Sequence, residues 1–74
     1  MNGGEELLQM DSKAICRRLV ELRGNKTREE VAKSLEISTS ALSMYERGER
    51  IPRDNIKIRI SQYYKKPISK IFFT

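Results

Sequence analysis

The chain has 74 residues, 38% of them apolar and 34% charged, a length that fits one compact domain and excludes a two-domain architecture. Histidine is absent and Cys16 is the single cysteine, which removes a histidine-based triad, a Cys/His zinc site, an internal disulfide and, with them, most site chemistry. Residues 12–74 carry fifteen basic and seven acidic side chains, a net of +8, so the domain attracts polyanions, nucleic acid first and an anionic membrane surface second.

Met1 to Asp11 form an acidic arm, with Glu5, Glu6 and Asp11, no Lys or Arg, and a short apolar trio of Leu7, Leu8 and Met10. The arm is expected to extend the first helix, to cover an apolar patch, to fold over the basic groove in competition with DNA, or to be a disordered acidic tail, with the domain itself spanning residues 12–74. Two glutamates stand where a signal peptide requires positive charge, and no apolar run approaches the roughly 20 residues needed to span a bilayer. With one unpaired thiol, a soluble protein of a reducing cytoplasm is expected, with no metal and no cofactor.

From Ser12, Ile15, Leu19 and Leu22 recur at i, i+4 and i+7, an amphipathic helix with Ser12 as the expected N-cap and Gly24-Asn25 as its stop. Thr27-Arg28-Glu29-Glu30 is a capping box, so a second helix starts near Arg28 with Val31, Ala32 and Leu35 on one face. Ser38 is placed to cap a third, which buries Ala41, Leu42 and Tyr45, turns Thr39, Ser40, Ser43 and Met44 outward, and stops at Gly48. Ile56, Ile58 and Ile60 alternate with Lys57 and Arg59 as a strand would. Over the longer window, Ile56, Ile60 and Tyr63/Tyr64 follow the helical period between Pro52 and Pro67, and a helix is the reading adopted. Pro67 then opens a short fifth helix with Ile68, Ile71 and Phe72.

The second helix, a turn of about three residues and a third helix with a polar outer face make the pattern that places its second helix in the major groove of DNA. Thr27 to Ala32 followed by Leu35 to Pro52, including Tyr45-Glu46-Arg47-Gly48, resembles the phage repressor and Cro family of Xre-like helix-turn-helix proteins, a resemblance running from about Ile15 to Phe72. It implies an all-α, compact five-helix bundle whose third helix reads the major groove. It also implies that Thr39, Ser40 and Met44, with Ser43 beside them, contact base edges. Arg28, Ser38, Arg47 and Arg53 fall at positions that grip the DNA backbone. Arg23 and Glu46 match the family's internal ion pair between the first and third helices.

Three local departures stand out: Glu36 replaces the usual turn glycine, the Gly24–Lys26 loop is short, and the reading face carries hydroxyls and a thioether instead of long amides or arginine. The acidic arm has no counterpart in the short family pattern. Such a face offers few bidentate base contacts, each worth roughly 1–3 kcal/mol of discrimination, so specificity has to lean on arginines, DNA shape and dimer spacing. A homodimer on half-sites about one helical turn apart is therefore expected. The apolar C-terminal end supplies Ile71, Phe72 and Phe73 as interface candidates. The expected function is a repressor occupying a promoter-overlapping palindromic operator. An antitoxin or other protein-interaction module with secondary DNA binding, and a basic RNA-binding domain, are the alternatives from other classes. No general base, nucleophile or metal site can be assembled from the sequence, so an enzyme is not expected.

Overall fold

Asp11 opens the part of the chain that the structure, a computed structural model, describes: residues 11–73. The readings of residues 1–10 lie outside it. Asp11 Oδ1 accepts the backbone N–H groups of Lys13 at 3.0 Å and Ala14 at 3.4 Å, capping α1, Ser12–Arg23. This corrects the expectation that Ser12 is the cap. A carboxylate is a strong acceptor whose negative charge also suits the positive end of the helix dipole, so Ser12 becomes the first helical residue. Gly24, at φ 57°, ends the helix.

The capping box is formed. The Glu30 N–H donates to Thr27 Oγ1 at 3.1 Å and the Thr27 N–H to Glu30 Oε1 at 3.3 Å, opening α2, Arg28–Leu35. Ser38 Oγ accepts the Ala41 N–H at 3.0 Å and opens α3, Thr39–Glu46. At its far end the Gly48 and Glu49 N–H groups bond back to the Tyr45 and Met44 carbonyls, with Gly48 at φ 75°. That left-handed position favours glycine.

The Ile56–Ile60 stretch is helical, within α4, Asp54–Tyr64. Ile60 is fully buried, Ile56 half-buried and Ile58 47% exposed, as a helix demands of residues four and two apart. After Pro67 comes α5, Ile68–Phe72. The described residues thus form an all-α fold of five helices. α1 packs on α3 and α5, α2 on α3 and α4, and α4 on α5.

Every helix contributes to one core: Ile15 and Leu19 from α1, Val31, Ala32 and Leu35 from α2, Leu42 and Tyr45 from α3, Ile60 from α4, Ile71 and Phe72 from α5. Each large aliphatic or aromatic group contributes about 1.5–3 kcal/mol by leaving water. Truncating one to alanine costs about 2–5 kcal/mol, comparable with the whole stability of a domain this size. Ile71 and Phe72 are 2% and 1% exposed within a single chain. The expectation that they offer a dimer interface is corrected accordingly: they close the monomer's own core, and Phe73, at 47% exposure, is the exposed member of the trio.

Candidate nucleic-acid interface

α3 divides cleanly into two faces. Leu42, Tyr45 and Glu46 point into the domain, while Ser40 is exposed and Thr39, Ser43 and Met44 are half-buried along the other side. The four share one stripe because positions i, i+1, i+4 and i+5 fall on one side of a helix. Their outward turn is partial, since Ser40 alone of the four is exposed. No hydrogen bond among the described residues uses the side chain of Thr39, Ser40 or Ser43. The Ser38 hydroxyl oxygen is engaged by the Ala41 N–H, but its own O–H remains a donor.

The turn that presents α3 is built without glycine. Glu36 takes a left-handed conformation, φ 61° and ψ 43°, which costs a non-glycine residue about 1 kcal/mol. Two sets of bonds hold it. The Glu36 and Ile37 N–H groups donate to the Lys33 and Ala32 carbonyls at 3.1 and 3.0 Å. From α4, Arg59 Nη1 donates to the Leu35 carbonyl at 3.2 Å and the Glu36 carbonyl at 3.4 Å. Arg59 was not singled out by sequence reasoning. The only available hint was the missing turn glycine, which raised the need for a compensating donor.

Glu46 anchors the other end of α3. Its side chain is 0% exposed, with Oε2 2.8 Å from Arg23 Nε and Oε1 2.8 Å from Arg28 Nε. The Arg23–Glu46 contact joins α1 to α3, and Arg23 Nη1 also donates to the Lys26 carbonyl at 2.8 Å. The hydrogen bond to Glu46 raises the Arg23 pKa above its usual value, outweighing the opposing effect of burial. Arg28 stands at the first position of α2, where a cation opposes the helix dipole. The buried carboxylate of Glu46 already answers that conflict inside the protein. Arg28 keeps 43% of its side chain exposed, so its remaining guanidinium nitrogens face solvent beside the α2 N-terminus.

The other basic positions are at the surface. Arg47 is paired with Glu49 at 3.1 Å, both more than half exposed, an arrangement worth about 0–1 kcal/mol that a phosphate competes for readily. Arg53 precedes α4, exposed and making no side-chain cap. Exposed Arg50 lies between them. Arg28 and Ser38 therefore stand at the N-termini of α2 and α3, and Arg47 and Arg53 beyond the C-terminus of α3. The stripe of Thr39, Ser40, Ser43 and Met44 lies between these groups along the chain. The helix-turn-helix family model matches residues 17–71, the greater part of the chain and all of this arrangement. The chain belongs to the Cro/C1-type (Xre-like) helix-turn-helix family. Its members are DNA-binding regulators, and this chain is a DNA-binding helix-turn-helix protein with α3 as the second helix of the motif. No curated protein and no solved structure matches it significantly. No helix among the described residues is long and apolar enough to cross a membrane.

Proposed function

We propose that this helix-turn-helix protein is a sequence-specific regulator that acts as a repressor, occupying a palindromic operator as a homodimer. The observation that carries the reading is the α3 stripe. Thr39, Ser40 and Ser43 spend no side-chain hydrogen bond inside the described domain, and Met44 lies beside them half-buried. The hydroxyls pair with several base edges and the thioether makes apolar contact, for instance with a thymine methyl. Arg28, Ser38, Arg47 and Arg53 then hold the phosphates on either side and fix the register.

Two-fold pairing supplies the discrimination that so mild a face lacks. Phe73 and Ile58 are each 47% exposed and, with Ile68, Asp54 and Lys57, line a groove of about 250 Å³ at the α4–α5 junction. Pairing two copies there buries both side chains. The deciding experiment is binding selection of the purified protein on duplex fragments of its source genome at two salt concentrations. Enrichment of a palindromic site whose advantage over random duplex persists as salt rises supports the operator-binding reading. Uniform weak binding that vanishes at the higher salt would refute it.

A further inference from the structure

Away from α3, the second half of α1 and the entry to α5 enclose a groove of about 410 Å³. Leu22, Pro67 and Ile71 supply its apolar wall, and Arg18, Lys66 and Lys70 surround it with positive charge, with Glu21 the single acid. One guanidinium nitrogen of Arg18 is fixed on the Ile71 carbonyl at 2.7 Å, which holds that cation at the groove. An apolar slot with a cationic rim fits a short segment that joins carboxylates to aliphatic side chains. Residues 5–10, Glu-Glu-Leu-Leu-Gln-Met, have that composition and no cation.

The connection geometry matches as well as the chemistry. Asp11, where the segment joins α1, is seven residues before Arg18 and eleven before Leu22, within about 20° of both around the helix axis. The segment therefore joins at the head of the very stripe of α1 that lines the groove. Arg18 lies ~10 Å down the axis from Asp11 and Leu22 ~16 Å. Six residues of chain span at most ~20 Å, so residues 5–10 are long enough to reach from Asp11 to both Arg18 and Leu22. The α1 positions that face α3, Ser12, Cys16 and Arg23, lie roughly 100–140° away around the axis, so a segment seated here leaves the DNA-reading stripe uncovered.

We propose that the α1–α5 groove is a docking site for an acidic-aliphatic segment and that its occupant is residues 5–10 of the same chain. A covalent tether gives such a segment an effective concentration in the millimolar range, so even a weak site is filled intramolecularly before a free partner takes it. Seated, the segment offsets the charge of Arg18, Lys66 and Lys70 and leaves the basic groups around α2 and α3 as the dominant attraction for polyanions.

The test uses the full chain carrying Gly4→Cys and Cys16→Ser, with a nitroxide on the new thiol. Amide NMR signals of Leu22, Lys66 and residues 68–71 are expected to be lost selectively, and to return when the label is reduced. The same signals should survive when Lys66→Glu and Lys70→Glu are added, both being exposed positions that do not contribute to the core. The charge-swapped segment Glu5→Lys/Glu6→Lys should do likewise. Broadening that is uniform, or centred on α3, overturns the proposal. So does broadening that appears on an unlabelled isotopic copy mixed with the labelled one, since the occupant is then a second chain. A folded protein whose groove signals never change overturns it too.

Discussion

Arg28 and Arg23 take opposite oxygens of one buried carboxylate: the Arg28 Nε is 2.8 Å from Glu46 Oε1, and the Arg23 Nε is the same distance from Oε2. One side chain of α3 thus ties the start of α2 and the end of α1 to the second helix of the motif. The two arginines differ in exposure, and that difference separates their roles.

Glu46→Ala is expected to destabilise the domain by about 3–5 kcal/mol, because it strands a cation that is 16% exposed. Urea denaturation would show this as a large fall in midpoint. Arg28→Ala is expected to cost less, about 1–3 kcal/mol, because it leaves Oε1 of the buried Glu46 carboxylate without its donor while Arg23 still holds Oε2. It should also change DNA binding. Loss of one phosphate contact lowers the slope of log K against log salt by about 0.9, with the preference among sequences unchanged. A salt slope equal to that of the unaltered protein would remove Arg28 from the interface.

The left-handed turn residue gives a stabilising substitution. Glu36→Gly removes the steric cost of φ 61° and is expected to raise stability by up to about 1 kcal/mol, the greater freedom of glycine in the unfolded chain offsetting part of the gain. Arg59→Ala should do the opposite by about 1–2 kcal/mol, since it removes the charged donor from the Leu35 and Glu36 carbonyls. Thermal unfolding of the two single variants and the double variant would show whether the effects couple. With the turn relaxed by glycine, the loss of Arg59 should cost less.

Tyr64 provides a signal at alkaline pH. Burial, followed by the nearby Glu46 carboxylate, pushes its pKa up from 10.0 to about 12. The folded state thus prefers the neutral phenol. The stabilisation is complete below pH 10 and is lost as pH rises through 12. An ultraviolet titration should show a phenol ionising near 12, together with a fall in stability over the same range. Tyr64→Phe should abolish both, and a titration with no such late phase would contradict the assignment.

Phe73→Asp is expected to weaken self-association without unfolding the chain, because Phe73 is 47% exposed while Ile71 and Phe72 carry the packing. Sedimentation at micromolar concentration would reveal it. Unchanged sedimentation with dimer present would move the contact away from the α4–α5 junction.

Those parts of the fold that depend on neighbouring residues were legible in the sequence. The Thr27–Glu30 box, the Ser38 cap and the Gly48 stop are closed by bonds within a few residues, so their chemistry is written in short stretches. The helical reading of α4 required only a longer window, because Ile58 alone breaks the period. What was hidden depends on distant partners. Arg59 reaches the turn from 23 and 24 residues away, and nothing near either position announces it. Likewise the inward placement of Ile71 and Phe72 follows from where α1 and α4 lie, since three apolar residues at one end read equally well as core or interface. The bond from Arg28 to Glu46 was equally hidden, since its partner is 18 positions further on. Asp11 was assigned to the arm by its charge, although its hydrogen bonds make it the first residue of the helical domain.

Because the hydroxyls of Thr39, Ser40 and Ser43 make no hydrogen bond that holds the described domain together, substitutions there are expected to cost the fold less than substitutions at the buried Leu42, Tyr45 and Glu46. If the stripe contacts DNA as proposed, recognition and stability are interleaved residue by residue along one short helix, and single substitutions in the stripe are expected to change binding preference while the buried residues keep the fold. The same separation makes the stripe a natural place to randomise in a library, with folding held constant and binding left as the selected trait.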